Sequence, residues 1–373
     1  MVEIDLLYNS IISISDCVMY WTDNYKQEFK QIREWLRLKQ KLIVHHRDVD
    51  GNCAAAQLLK FFEFESMSIK DPFVSYDLVN ELVEKNPQFI VFLDLAVDEH
   101  WENVVSLQTK LKNTKIVVFD HHVIRKDLND FGIIHINPRF IMSDAYIPTS
   151  LMVFDLLKCL GLNIESQMWI SIIGTISDYG HKANPEFMKL AKETYPGFMK
   201  GSQPIKTKLG DAAKTIYSGI ICRGEYGSRY ALNALVKSKG FEDFAENETL
   251  LEWRKTVDAE IKSVLDDFKK NKETKDKIVF YEIKSELNIT AILANILAEK
   301  NADKFIVVSK HAQEGWKVST RSPREPKSEV DLSKVVSEAA KGIGYGGGHP
   351  QAAGALVKNW EKFKEKMSAS ING

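Results

Sequence analysis

The chain has 373 residues, of which 44% are hydrophobic and 27% are charged, and its formal net charge is -1 at pH 7. It is long enough for two hydrophobic cores, and its neutrality excludes a protein that coats nucleic acid through bulk positive charge. Any contact with nucleic acid should therefore be local, at a site that binds phosphate.

The first elements in chain order are helices, followed by an alternation of strands and helices. Residues 5–40 carry aromatic and aliphatic side chains at helical spacing, which predicts helices that pack on a sheet. The alternation that follows predicts a parallel sheet with helices on both faces. The predicted strands are 41–45, 73–77, 89–95, 115–119 and 132–136, and the predicted helices are about 52–64, 78–85 and 98–112.

The second half of the chain predicts a helical stretch and then a smaller α/β domain. Helices at 148–160 and 168–176 lead to Asp178, and residues 185–275 are helical and charged. The later predictions are strands at 278–283, 305–309 and 316–320, helices at 289–300, 332–341 and 359–368, and a glycine loop at 346–348. We expect a boundary near Lys275, with the last domain across a cleft from the sheet domain.

The compartment is predicted from targeting features and cysteines. The longest apolar stretches, such as 170–176, are too short for a membrane span. The first five residues lack a basic leader before an apolar core, so no secretory signal is predicted. The four cysteines have no CxxC spacing, which is typical of reduced thiols in an intracellular protein. We therefore expect a cytoplasmic protein.

Three predicted strands end in acids or histidines. The carboxyl ends of parallel strands meet at one edge of a sheet, so these side chains should converge. Each acid could instead cap the following helix. However, two carboxylates and an imidazole within five residues repel one another unless a cation compensates, and such ligands suit Mn²⁺ or Mg²⁺. The side chains concerned are His46, Asp48, Asp50, Asp94, Asp120, His121 and His122.

Five motifs in order resemble those of the DHH phosphoesterase family. The first four resemble its catalytic domain, and the fifth resembles the GGGH signature of the C-terminal domain in RecJ-like and nano-RNase-like members. The resemblance spans roughly residues 41–190 and 275–370. The motifs are His46-Arg47-Asp48-Val49-Asp50-Gly51, Asp94, Asp120-His121-His122, Gly174-Thr175-Ile176-Ser177-Asp178 and Gly346-Gly347-Gly348-His349.

This resemblance implies a site with two metal ions. It implies that Asp94 bridges the two ions. The remaining ligands of the first ion would be His46 and Asp48, and those of the second ion would be Asp50, His121 and Asp178. Adjacent residues on an extended segment face opposite ways, so only one of His45 and His46 can face the ions, and His46 is preferred because its H-x-D-x-D-G spacing matches the family.

Two further residues of the third motif are assigned catalytic roles, and Gly51 a structural one. We expect Asp120 to orient a ligand imidazole and His122 to face the substrate, where it can donate to a phosphoryl oxygen. Gly51 should satisfy a backbone requirement in a tight turn. For Asp178, the alternative is an ordinary acid at a helix end.

The C-terminal motif predicts a phosphate grip. Backbone N–H groups of Gly346, Gly347 and Gly348 could bind an anion, and Arg321 could hold a phosphate in bidentate geometry. The resemblance implies that Arg321 and His349 bind the end of the substrate. The alternatives are an ordinary turn and a helix-capping histidine.

The expected function is a Mn²⁺-dependent phosphodiesterase, with two ions and with Mg²⁺ as the alternative metal. Its expected partner is short or single-stranded nucleic acid, as for an exonuclease or oligoribonuclease. Exposed lysines between Lys182 and Lys214 could line the path of a longer strand or form an ordinary solvated surface. The alternative functions are a cyclic-dinucleotide or nucleotide-bisphosphate phosphodiesterase and an inactive replication scaffold.

The expected domains follow from the same reasoning. They are N-terminal helices at 1–40, a DHH catalytic domain at 41–190, a helical connector at 191–274 and a C-terminal substrate-binding domain at 275–373.

Overall fold

The computed structural model describes residues 21–325 and 328–372. The chain divides into two compact units, Met1–Arg254 and Lys255–Gly373. Each unit contains a sheet covered by helices, so the expected fold class is confirmed. The part of the predicted helical segment before Trp21 lies outside the described residues.

A parallel sheet of five strands forms the centre of the first unit, in the order β2-β1-β3-β4-β5. Its chain order reverses between β1 and β3, and doubly wound sheets bind ligands beyond the carboxyl ends of the strands at such a point. The strands are β1 (Lys41–His46), β2 (Glu65–Ile69), β3 (Phe89–Leu93), β4 (Lys115–Phe119) and β5 (Ile134–Ile136).

Helices cover both faces of this sheet because successive strand residues point to opposite sides. Leu42 and Val44 join one buried apolar cluster with α3 and α4, whereas Ile43 joins another with α1, α2, α5 and α6. The helices of the unit are α1 (Lys26–Trp35), α2 (Val49–Phe61), α3 (Tyr76–Lys85), α4 (Trp101–Lys110), α5 (Thr149–Cys159), α6 (Met168–Ser177), α7 (Pro185–Thr194), α8 (Lys208–Lys237) and α9 (Phe241–Ala245).

The prediction of a strand at 73–77 is wrong. Ser75 accepts a hydrogen bond from the backbone N–H of Leu78 and caps α3, so helix capping decides the local structure. The missing strand is β2, at Glu65–Ile69. It is an edge strand with exposed polar residues, and so it lacks the apolar run that marks the central strands.

The second unit contains a sheet of six strands in the order β10-β11-β9-β8-β7-β6. Its strands are β6 (Glu273–Lys275), β7 (Ile278–Ile283), β8 (Phe305–Ala312), β9 (Gly315–Arg321), β10 (Gly344–His349) and β11 (Ala352–Val357). Its later helices are α11 (Thr290–Lys300), α12 (Leu332–Ala340) and α13 (Trp360–Asn372).

The glycine run predicted as a loop is strand β10 at the sheet edge. It pairs antiparallel with β11, and Gly347 lies opposite Gly354. Because glycine has no side chain, this strand shows no hydrophobic alternation in the sequence.

The two units divide within α10 (Glu248–Asn271), between Arg254 and Lys255, rather than near Lys275. The end of α10 belongs with the second sheet because Phe268 packs on Tyr281 with ring centroids 5.2 Å apart. The Tyr281 hydroxyl also donates to Asp267 Oδ2 at 2.7 Å.

The cysteines differ from the expectation of four reduced thiols. Cys53 and Cys222 are free, whereas Cys159 is disulfide-bonded. Among the described residues, no helix combines the length and apolarity needed to cross a membrane.

Candidate metal centre

The end of β1 brings His46 and Asp48 together. Asp48 caps α2 by accepting from the Gly51 N–H at 2.9 Å, and its Oδ2 lies 3.1 Å from His46 Nδ1. A Cβ atom on Gly51 would lie 2.3 Å from the His46 carbonyl oxygen, so only glycine fits this turn. His45 is buried on the other side, with Nδ1 against the His46 carbonyl oxygen at 2.9 Å.

Asp94 lies between two imidazoles. Its Oδ1 is 3.2 Å from His121 Nε2, and its Oδ2 is 3.5 Å from His46 Nδ1. The side chain is 2% exposed, Oδ2 has no hydrogen-bond partner among the described residues, and the backbone φ is 59°, a left-handed value that is uncommon outside glycine. Burial raises the pKa of Asp94, but the two histidines outweigh burial and hold it well below its usual range.

Asp178 and Asp50 approach the centre from the helices that cover the sheet. Asp178 ends α6, and its Oδ2 lies 3.5 Å from His121 Nε2. Asp50 is fully buried and accepts from the backbone N–H groups of Thr149 at 2.7 Å and Ser150 at 3.2 Å. Burial raises the pKa of Asp178 to about 6 and that of Asp50 well above its usual range.

Gly174 lets α6 approach Asp50 closely. A Cβ atom on Gly174 would lie 2.2 Å from Ser150 Oγ and 2.7 Å from Asp50 Oδ1. Gly174, the glycine of the fourth motif, is therefore needed for close packing around the buried Asp50 carboxylate.

In the part of the chain that the structure describes, three groups of His and Asp side chains have ligand atoms within 4.8 Å of one another. Two of them, His46-Asp48-Asp94 and Asp50-His121-Asp178, have the membership that the resemblance implies for the two ions. The third joins Asp94, His121 and His122.

The charges of these groups suit a divalent cation. Burial lowers the pKa of His46, but Asp48 and Asp94 outweigh burial and raise it to about 11. The same balance raises the pKa of His121 to about 10, with Asp94 as the main partner. Such shifts indicate a strongly negative potential. Asp94 Oδ2 lacks a hydrogen-bond partner within the described part of the chain, and this oxygen together with the other carboxylate and imidazole donors fits Mn²⁺ or Mg²⁺.

Asp120 is paired with His122. Its Oδ1 lies 2.6 Å from His122 Nδ1, and its Oδ2 accepts from the His122 backbone N–H at 3.2 Å. His121 Nδ1 has no hydrogen-bond partner among the described residues. Asp120 therefore orients His122 and leaves Nε2 of that ring available.

Three neighbours that hold the site in place were not assigned a role from the sequence. The Tyr146 hydroxyl donates to Asp178 Oδ2 at 2.8 Å, and its ring meets that of His121 edge-on, 4.9 Å between centroids. Arg139 Nε donates to the His121 carbonyl oxygen at 2.9 Å, and Asn137 Nδ2 donates to that of His122 at 3.0 Å. These partners lie far from the motifs in sequence, so no local pattern marks them.

The C-terminal candidates lie in the second unit. Strand register places Arg321 opposite Ala352, and Ala352 opposite the exposed His349, so these residues lie side by side on three neighbouring strands. Arg321 donates through Nε to Asn295 Oδ1 at 2.6 Å and through Nη1 to its neighbour's carbonyl oxygen at 2.7 Å. Much of the guanidinium that was predicted to bind phosphate is therefore already hydrogen-bonded within the protein.

The three glycines of this motif have different surroundings. A Cβ atom on Gly346 would lie 2.9 Å from Val336 Cγ1, whereas one on Gly347 would meet nothing within 4 Å. Gly348 has φ of 141°, which favours glycine. Because β10 is an edge strand, its outer backbone groups have no strand partner among the described residues and remain available to a ligand.

The predicted lysine surface belongs to the first unit. Lys214 forms an ion pair with Asp211 at 2.9 Å. The exposed members are Lys182, Lys189, Lys192, Lys200, Lys206 and Lys208.

Two family models match the chain. Residues 40–177 match the DHH family N-terminal domain, and residues 259–372 match the DHHA1 domain. No curated protein matches the sequence.

Solved structures share the fold at low sequence identity. RecJ from Thermus thermophilus in complex with Mn²⁺ is 15% identical with a TM-score of 0.71, and the match covers 93% of this chain but 55% of that one. The chain therefore spans about half the length of that relative.

Two further structures cover nearly all of both chains. Exonuclease RecJ bound to manganese is 16% identical over 93% of this chain and 94% of the other, with a TM-score of 0.70. A pGpG-specific phosphodiesterase, PggH from Vibrio cholerae, is 12% identical over 90% of this chain and 99% of the other, with a TM-score of 0.50.

Proposed function

Because the chain belongs to the DHH family of metal-dependent phosphoesterases, we propose that it hydrolyses phosphodiester bonds of short or single-stranded nucleic acid with two manganese ions. The observation that carries the proposal is the position of Asp94. Each of its carboxylate oxygens faces an imidazole of a different ligand group, as a bridging ligand requires.

The proposed ligands of the first ion are His46, Asp48 and Asp94. Those of the second are Asp50, His121 and Asp178, with Asp94 shared. When bound, the two ions would supply an activated water and neutralise the charge on the phosphoryl oxygens.

The protein's own side chains orient the reacting groups. Asp120 fixes the His122 ring through Nδ1, so His122 Nε2 can donate a proton to a phosphoryl or leaving oxygen. Tyr146 holds the Asp178 carboxylate, and Arg139 holds the His121 backbone. These contacts would keep the ligands in place during turnover.

For the second unit we propose a role in substrate binding. The exposed His349 and the outer edge of β10 offer an imidazole and backbone N–H groups to a phosphate. Arg321 would support this strand end and add positive charge. The exonuclease RecJ that shares the fold motivates a nucleic-acid substrate.

The test uses purified protein with Mn²⁺ on RNA and DNA from dinucleotides to strands of about thirty nucleotides, labelled at either end in separate reactions. We expect metal-dependent release of nucleotides, and the two labels give the polarity. If no nucleic acid is cut while a generic phosphodiester is, the substrate class is wrong.

A second candidate function is hydrolysis of cyclic or linear dinucleotides. The likeness to the pGpG-specific phosphodiesterase favours it. Parallel assays with pGpG and with cyclic dinucleotides separate the two functions, because a dedicated dinucleotide enzyme should leave a trinucleotide intact.

A further inference from the structure

Tyr179 is a bulky residue in a backbone conformation that disfavours side chains. Its φ is 56° and its ψ is 13°, in the left-handed region. It directly follows Asp178 at the end of α6, and its N–H donates to the carbonyl oxygen of Ile176 at 3.2 Å. Glycine is the usual residue in this conformation after a helix. Residues other than glycine that are held in such a strained backbone conformation are concentrated at functional sites.

The packing of the fold does not account for this tyrosine. Its side chain is 63% exposed, and its ring centroid lies 6.5 Å from that of His181. The ring therefore buries little area that could offset the strain.

The position of Tyr179 beside the metal centre suggests a use for the ring. Oδ2 of the preceding Asp178 lies 3.5 Å from His121 Nε2. Four of the other large apolar side chains that the described residues expose also belong to segments around the ligands. They are Val123, which follows His122, and Phe140, Ile141 and Met142, which follow Arg139.

An exposed apolar border next to a charged centre fits a ligand with both a phosphate and a flat apolar group. A nucleotide has both. Stacking on an aromatic ring tolerates every base because every base has a π face.

We propose that Tyr179 stacks on the nucleobase next to the scissile phosphate and forms a base-binding subsite at the metal centre. This inference rests on the proposed function, because it needs a nucleotide at the metals. It adds that the base itself contributes to productive binding.

The test is a double cycle in which the ring and the base are each removed. Trinucleotides are compared with analogues that carry an abasic tetrahydrofuran unit at the 5′ or the 3′ end, using Mn²⁺-loaded wild-type protein and Tyr179→Ala. For one of the two ends, removing the base should lower kcat/KM of the wild type about tenfold or more. Tyr179→Ala should lower kcat/KM on the intact trinucleotide by a similar factor and cause little further loss on that abasic analogue.

Two variants separate stacking from general damage. Tyr179→Phe keeps the ring and should retain activity. Tyr76→Ala removes a tyrosine of similar exposure, 62%, on α3 and should leave kcat/KM unchanged. Because Tyr179 is strained and little buried, Tyr179→Ala should unfold at the same temperature as the wild type.

The outcomes distinguish this inference from the function on which it rests. Equal losses for Tyr179→Ala on the intact and both abasic substrates would overturn the stacking role while leaving the nuclease function in place. Failure of the wild type to hydrolyse any trinucleotide would overturn both.

Discussion

Asp120 Oδ1 and His122 Nδ1 are 2.6 Å apart, and this contact makes Asp120 a partner of the imidazole that is proposed to face the substrate. The same carboxylate accepts a hydrogen bond from the His122 backbone N–H through Oδ2, so both of its oxygens contact His122. The ring nitrogen that remains available is Nε2. Asp120 therefore sets the orientation and the tautomer of His122.

Asp120→Asn should reduce turnover about 10- to 100-fold because an amide weakens the charge-assisted contact with His122. Since Asp120 acts through His122, the double variant Asp120→Asn/His122→Gln should be little worse than His122→Gln alone. Steady-state kinetics on bis-p-nitrophenyl phosphate measures this. Additive losses in the double variant would mean that Asp120 acts elsewhere.

Asp94→Asn should weaken binding of both metal ions and lower activity by at least about 100-fold, because the proposed bridge loses its charge. Asparagine tolerates the left-handed backbone at this position, so the variant should fold. Calorimetric titration with Mn²⁺ and the unfolding temperature are the measurements. Full turnover at saturating Mn²⁺ would exclude the bridging role.

Gly51→Ala should destabilise the first unit by about 1–3 kcal/mol because its Cβ would lie 2.3 Å from the His46 carbonyl oxygen. It should also weaken Mn²⁺ binding, since the backbone that must move carries His46 and Asp48. Gly197→Ala is the control, because its Cβ would meet nothing within 4 Å. Equal stability of the two variants by urea denaturation would contradict the prediction.

Arg321→Ala should weaken oligonucleotide binding and leave hydrolysis of bis-p-nitrophenyl phosphate unchanged if the second unit binds substrate. Asn295→Ala is the matched control. It removes the 2.6 Å hydrogen bond to Arg321 but keeps the guanidinium. Affinity for a fluorescent oligonucleotide should fall for Arg321→Ala alone. Equal losses in both variants would indicate that Arg321 only supports α11.

Asp155 should make stability depend on pH. Burial raises its pKa to about 7, although the Trp21 indole N–H donates to Oδ2 at 2.9 Å. The folded pKa exceeds the unfolded value of about 3.9, so the folded state holds the proton more tightly. The stability this adds is fully present below about pH 4 and is lost as pH rises to about 7.

Asp155→Asn removes this titration and keeps an acceptor for Trp21. The variant should therefore gain stability relative to the wild type by up to about 1.4 kcal/mol per pH unit as pH rises from about 4 to 7, with no further gain above that. Urea denaturation at several pH values measures the difference. Parallel stability curves for the two proteins would refute it.

The central strands and the residues at their carboxyl ends were predictable from sequence. Strands β3 and β4 are buried on both faces, so they must be continuous apolar runs, and Asp94 and Asp120 stand directly after them. The convergence of these ends follows from the parallel order of the sheet. The meeting of these side chains could therefore be anticipated before any distance was known, whereas the membership of the two ligand groups was implied only by the family resemblance.

Edge strands and side-chain pairings were decided only by tertiary structure. Strands β2 and β10 are exposed or made of glycine, so neither needs the apolar pattern that a buried strand requires. The pairing of Asp120 with His122 depends on rotamers, and that of Tyr146 with Asp178 depends on contact across 32 residues. A buried segment must be built of apolar residues, so local sequence indicates burial directly. Hydrogen-bond partners, in contrast, depend on how segments that are distant in sequence pack together.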